Sequence, residues 1–174
     1  MYKVIVQAFG GAENLTIVEL PDPVPESNQV VVKLTSIGMN HSDLMARRGE
    51  YKLLSGHAPF TPGLEGGGYI QAVGSAVSDR QIGQRVILSL SFNVPEQSNR
   101  NLEGTYQSHY LTTADKTIPA PDAIADELLG AIWMPYLAAW GCLVWKQQIQ
   151  PDQVVLIPAA SSSVAIAASQ IVRY

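Results

Sequence analysis

Residues 62–90, PGLEGGGYIQAVGSAVSDRQIGQRVILSL, decide the fold. Glycines crowd the start of this stretch, and apolar residues alternate with polar ones after them. A phosphate-binding loop would carry a Lys followed by Ser or Thr and would open a helix. Here that pair is missing and the glycines lead into a strand pattern. Glycine inside a strand marks a bend or the close approach of another backbone. Glu65 sits among glycines and apolar residues, where a carboxylate needs partners to be buried. The stretch reads as β-structure.

The flanking segments agree. YKVIVQAF (2–9), LTIVEL (15–20) and QVVVKLTSI (29–37) are β-branched runs, separated by GGAEN and by the proline-rich PDPVPESN. TYQSHYLTT (105–113) reads as another strand. Short strands with Gly/Pro/Asn turns predict a small barrel or sandwich. Between them, Asn40 to Arg48 predicts a short helix with polar residues at its start and Gly49 past its end. Tyr51 to Pro62 reads as a loop. ADELLGAI (125–132) predicts a helix, with Asp126 and Glu127 in the opening turn favoured by the dipole.

The last third changes character. LLGAIWMPYLAAWGCLVW (128–145) carries no charge over a length close to the ~20 residues that cross a bilayer. Pro135 and two glycines interrupt it, so it reads as two buried segments meeting at a proline. QVVLI (153–157) reads as a buried strand, PAASSS as a turn and VAIAASQIVRY as a helix, which together open a parallel βαβ unit. No second parallel strand follows.

Composition narrows the function classes. The 174 residues are 47% hydrophobic and 15% charged, which suits a soluble globular chain. A net charge of −4 opposes a nucleic-acid partner. Cys142 is the single cysteine, so neither a disulfide framework nor a multi-cysteine zinc site is available. The N-terminus lacks a signal-peptide pattern, and a cytoplasmic location is expected.

GMNHSDLMARRGEY (38–51) gathers Asn40, His41, Ser42 and Asp43 at a helix start, where Asn40 or Ser42 suits the N-cap. His41, His57 and His109 show no metal-ligand spacing, although ligands distant in sequence could converge in the fold. PAASSSVA (158–165) occupies the strand-to-helix position of a dinucleotide fingerprint but does not meet G-x-G-x-x-G. Small residues keep some of the room, and serines add hydroxyl donors.

In order and spacing, GMNHSDLMARRGEY, PFTPGLEGGGYIQAVGSAV, GQRVI, EGTYQSHYLTT, MPYLAAWGCL and VVLIPAASSSVAIAASQIV resemble the medium-chain dehydrogenase/reductase superfamily, and within it the zinc-free quinone oxidoreductase branch. The resemblance implies a mainly β fold with α: a GroES-like β-barrel that holds the substrate over residues 1–122. Linking helices and the first strand and helix of a truncated NAD(P)-binding Rossmann domain would fill 123–174. It implies that Asn40 stands where zinc alcohol dehydrogenases have a cysteine ligand, and Leu64 where they have a histidine, so no metal is expected. Ser42 matches the hydroxyl that relays a proton, and Tyr51 and Glu65 match positions lining the cleft. These four form the implied catalytic set: Asn40, Ser42, Tyr51 and Glu65.

Asn40, Ala159, Ser161, Ser162, Ser163, Val164 and Ala165 form the implied cofactor set, for NADPH or NADH. Gln84 replaces the usual aspartate of G-D-R-V, and Ser162 and Ala165 replace glycines of the cofactor loop. The implied reaction is hydride transfer to a quinone or α,β-unsaturated carbonyl, whose conjugation spreads the charge that zinc otherwise stabilises. The implied partners are a small-molecule substrate and a second copy of the chain, with no nucleic acid and no membrane. Because the chain stops inside a βαβ unit, it is expected to be inactive alone. Two alternatives stand beside this reading: a non-catalytic GroES-like binding module, and an alcohol dehydrogenase-like reductase of another substrate class.

Overall fold

The computed structural model describes residues 1–51, 56–89 and 103–173. Part of the expected 51–62 loop, Leu90 of the opening stretch and Tyr174 lie outside them. The chain divides into two compact units, Met1–Ala131 and Ile132–Tyr174.

The first unit is built on strands β1 (Tyr2–Val6), β2 (Leu15–Glu19), β3 (Gln29–Ile37), β4 (Gly66–Val73), β5 (Arg85–Leu88), β6 (His109–Thr113) and β7 (Thr117–Pro119). β1 and β2 form an antiparallel pair, and the other five run in the order β6-β3-β4-β5-β7, each neighbour antiparallel. Isolated bridges from Lys3 to Gln107 and from Val6 to Phe60 tie the pair to the rest. The valine run of β3 suits its place between β6 and β4: Val30, Val31 and Val32 are all buried, so both faces of the strand are covered. Val30 and Val32 pack with Ile70, Val86, Leu88, Tyr110 and Ala114. Each fully buried valine or leucine there stabilises the fold by roughly 1.5–3 kcal/mol.

The glycines of the opening stretch do what a strand glycine is expected to do. A Cβ on Gly68 would stand 2.0 Å from the Lys33 carbonyl oxygen, and β3 breaks register with β4 between Leu34 and Ser36 beside it. Gln84 stands inside the turn before β5, where its Oε1 accepts the Gln81 N–H at 3.1 Å.

α1 (His41–Arg48) forms as expected, with Asn40 as N-cap and Gly49 closing it in the left-handed region at φ 78°. The helix expected at 125–132 is instead a 3₁₀ helix, Asp126–Ala131. Its first acidic residue serves tertiary structure. The Asp126 carboxylate pairs with Arg85 at 2.9 Å and accepts the Tyr69 hydroxyl at 2.7 Å. Ser36 adds two bonds, donating to the Asp126 carbonyl at 2.8 Å and accepting the Gly130 N–H at 2.7 Å. These side-chain bonds fix the segment against β3, β4 and β5, and they override the i→i−4 pattern.

The second unit holds α2 (Trp133–Trp140), a π-helical turn (Gly141–Lys146) and α3 (Ser163–Ile171). Its core is small: Ala139, Ala167 and Ala168, with Tyr136, Leu143, Ile157 and Ile171 against them. Pro135 falls in the first turn of α2, where its missing N–H costs nothing, so the proline begins a helix rather than dividing two. The expected burial of this apolar run is only partial, since Leu137, Trp140, Val144 and Trp145 are exposed. A larger correction concerns residues 153–157. They form no strand, and Val154 and Leu156 are 96% and 91% exposed. Strand-type residues adopt a strand only when a neighbour accepts and donates across the ladder, and none does so among the described residues. No helix among them is long and apolar enough to cross a membrane.

Candidate functional site at the start of the first long helix

Glu65 is the centre of the arrangement. It lies just before β4, is 2% exposed, and its Oε1 accepts Nδ2 of Asn40 at 2.9 Å. Its backbone carbonyl accepts the Thr105 hydroxyl at 2.7 Å and the Gly38 N–H at 3.3 Å. A Cβ on Gly38 would approach both Glu65 Oε1 and the Gly130 carbonyl oxygen to 2.3 Å. The buried carboxylate therefore has the partner its sequence context demanded, and glycine is the only residue that leaves it room.

Asp43 is the second buried carboxylate, 5% exposed. Its Oδ2 accepts the Asn40 N–H at 2.8 Å and the Tyr106 hydroxyl at 3.3 Å, and its Oδ1 accepts the Gly63 N–H at 3.2 Å. Burial raises the Asp43 carboxyl above the ordinary range, and the bonds from Asn40, Tyr106 and Gly63 offset only part of that. Desolvation and the neighbouring Asp43 likewise push the Tyr106 phenol well upward. Asn40 is the N-cap residue of α1, but its side chain turns to Glu65. The bonds that close this end are the Asp43 carboxylate on the Asn40 N–H and the Asp43 N–H on the Asn40 backbone carbonyl at 3.0 Å. Asp43, Thr105 and Tyr106 are additions to the expected site. For Asp43 a signal exists in the N-x-x-D spacing at a helix start; Tyr106 gives none beyond strand character.

The other expected residues are dispersed. Ser42 is half-buried in the first turn of α1, close in sequence to Asn40, whereas Tyr51 lies past the other end of the helix and is exposed. Leu64 is buried. Among the described residues, no group of three or more His, Cys, Asp and Glu is placed to hold a metal ion.

Ala159, Ser161, Ser162, Ser163, Val164 and Ala165 belong to the second unit. Ala159 has a φ of 50°, and Ser162 caps α3 by accepting the Ala165 N–H at 3.1 Å. The Ser162 N–H goes to the Ala159 carbonyl at 2.8 Å. A helix start leaves its first N–H groups without intrahelical acceptors, here those of Ser163 and Val164, while the Ser162 hydroxyl takes that of Ala165. Residues 159–163 are exposed and small. Their chemistry fits a phosphate of a dinucleotide, with fewer donors than a glycine loop gives.

Comparison with known proteins places these features in a family. Residues 26–122 match the alcohol dehydrogenase GroES-like domain. The chain is 33% identical to the human (Homo sapiens) synaptic vesicle membrane protein VAT-1 homolog over 171 residues, covering 97% of this chain and 40% of that protein. It is 33% identical to a Sus scrofa quinone oxidoreductase over 174 residues, covering 99% of this chain and 50% of that one. Among solved structures, Escherichia coli quinone oxidoreductase complexed with NADPH superposes with a TM-score of 0.84 at 29% identity, over 99% of this chain and 49% of that chain. The CurK enoyl reductase gives 0.85 at 26% identity, over 99% and 51%. The chain thus spans between 40% and 51% of the length of these four proteins.

Proposed function

The chain belongs to the alcohol dehydrogenase GroES-like family within the medium-chain dehydrogenase/reductase superfamily, and from this premise we propose that it is the substrate-side portion of a zinc-free NAD(P)H-dependent reductase of quinones or α,β-unsaturated carbonyls. The observation that carries this reading is the Asn40–Glu65 pair, an amide held by a buried carboxylate, at the position that the resemblance matches to a zinc ligand of the zinc alcohol dehydrogenases. An amide is a poor partner for zinc, which takes thiolate, imidazole or carboxylate. It is a good hydrogen-bond donor to an oxygen on which charge develops.

The nicotinamide supplies the hydride when it is bound. On this chain, Asn40 orients the acceptor oxygen, the Ser42 hydroxyl carries a proton, and Tyr51 lines the approach. Ser163 and Val164 offer backbone donors to the cofactor phosphate. The pairing of a conjugated acceptor with a metal-free site is chemically consistent, because delocalisation lowers the stabilisation that any one oxygen requires. On this reading the enzyme works in the cytoplasm as a homodimer on a small-molecule substrate, binding neither nucleic acid nor membrane. The 174-residue chain by itself is inactive.

The experiment is to assay NADPH oxidation with quinones and enones, first with this chain and then with the chain joined to the C-terminal half of a quinone oxidoreductase relative. Turnover only in the joined form, with no zinc in the metal analysis, supports the reading. Stoichiometric zinc and oxidation of simple alcohols would overturn it. The exposed Val154 and Leu156, in a segment that pairs with no strand among the described residues, favour one other reading, a binding module. Such a module is stable alone, and joining it to the C-terminal half yields no NADPH oxidation.

A further inference from the structure

We infer that Glu65 is a positioning residue that fixes the polarity of the Asn40 amide, so that the site presents a hydrogen-bond donor and selects a ligand with an acceptor oxygen. The inference rests on the reductase reading for the identity of the ligand, and on geometry alone for the rest.

An asparagine side chain can turn its amide end for end, exchanging donor and acceptor at little cost unless its neighbours forbid it. Here they do. Oε1 of Glu65 lies 2.9 Å from Nδ2, and a reversed amide would set two oxygens against each other. The carboxylate itself has little freedom. It is almost wholly buried, its backbone carbonyl is held by Thr105 and Gly38, and the Gly130 carbonyl borders the same space. The Asn40 backbone from which the amide projects is itself fixed, its N–H donating to Asp43 at 2.8 Å and its carbonyl accepting the Asp43 N–H at 3.0 Å. One N–H of the amide is left for a ligand. Asn40 is half-buried, so that N–H is reachable, whereas Glu65 at 2% exposure is too enclosed to exchange a proton with a substrate. Glu65 therefore acts through Asn40, and the group recognised is a carbonyl or quinone oxygen.

The test uses the 174-residue chain labelled with ¹⁵N at asparagine, as wild type, Glu65→Gln and Glu65→Leu. In wild type the Asn40 side chain is expected to show one downfield amide proton protected from exchange. The glutamine variant keeps an acceptor oxygen and is expected to retain that signal. The leucine variant is expected to lose it while thermal melts show a folded chain. An unchanged Asn40 signal in Glu65→Leu overturns the inference. Should the leucine variant fail to fold, Asn40→Asp is made alone and together with Glu65→Gln. The loss in melting temperature caused by Asn40→Asp is expected to be smaller in the double variant, where the new amide can donate to the new carboxylate. Equal losses overturn the inference.

In the joined enzyme, Glu65→Leu is expected to lower kcat about tenfold (a change worth ~1.4 kcal/mol in barrier) with KM for NADPH unchanged, and Glu65→Gln to recover most of it. Wild-type kcat in the leucine variant overturns the inference. If even wild type shows no turnover, the reductase reading fails, while the amide signal still decides the role of Glu65.

Discussion

The backbone N–H of Gly63 donates to Oδ1 of Asp43 at 3.2 Å, and with the Asn40–Glu65 pair this bond ties the glycine-rich stretch to the start of α1. Through it, two segments 20 residues apart in sequence share a single buried carboxylate. Asp43→Ala removes the acceptor for Gly63, Asn40 and Tyr106 together. Leaving buried donors unsatisfied costs ~1–3 kcal/mol each at most, so a loss of about 3 kcal/mol is expected in urea denaturation. A loss below about 0.5 kcal/mol, the ordinary scale of an inconsequential substitution, would show that water replaces the carboxylate.

The raised Asp43 carboxyl has a consequence for pH. A group with a folded pKa above its unfolded value binds protons more readily in the native state, so its contribution to stability grows on acidification. That contribution is complete below the unfolded value of 3.8 and is lost as pH rises through the higher folded value. Unfolding midpoints of wild type and Asp43→Asn, followed from neutral pH down toward about 4, are therefore expected to converge or cross in favour of wild type. A difference independent of pH would contradict this.

Gly38 and Gly83 make a paired prediction. Gly38→Ala drives a methyl group into Glu65 and the Gly130 carbonyl, an overpacking expected to cost ~1–3 kcal/mol. Gly83 has φ 84° but nothing within 4 Å of its added Cβ. Alanine there is expected to cost only the backbone strain of a left-handed residue, ~1–2 kcal/mol. The Gly38 variant alone should also disturb the Asn40 side-chain amide signal, which spectra of the two proteins will show.

Tyr69 reports on the anchoring of the 3₁₀ helix. Its hydroxyl donates to Asp126, and that bond is the main reason its phenol titrates above the ordinary value. Asp126→Ala is expected to bring the Tyr69 titration back down, measured by ultraviolet difference spectra on single-tyrosine replacements. Because the Arg85–Asp126 pair is partly exposed, the accompanying loss of stability is expected to be about 1 kcal/mol or less.

Val154 and Leu156 stand almost fully in solvent, whereas Leu88 is fully buried. Replacing both exposed residues by Ser is expected to change the stability of the chain by less than about 0.5 kcal/mol, while Leu88→Ala costs ~2–5 kcal/mol. Sedimentation of the serine variant is expected to show less self-association than wild type. Equal costs for the two changes would mean that 153–157 is covered in solution.

Much of this molecule is determined locally. The valine run 30–32, the β-branched runs before it, the glycines at 66–68 and the Asn40…Gly49 frame of α1 each follow from propensity, steric room or capping within a few residues. The need of Glu65 for a partner is also legible, because its neighbours are apolar or glycine. Its partner is not: Asn40 lies 25 residues away, and only the pairing of β3 with β4 brings the two ends together. Thr105 and Tyr106 enter the site through long-range bonds of their own, to the Glu65 carbonyl and to Asp43. The 3₁₀ form of Asp126–Ala131 and the absence of a strand at 153–157 likewise depend on partners, in the first case present and in the second missing among the described residues. Local sequence sets what a segment can become; long-range hydrogen bonds, which must be satisfied once water is excluded, decide which of those forms it takes.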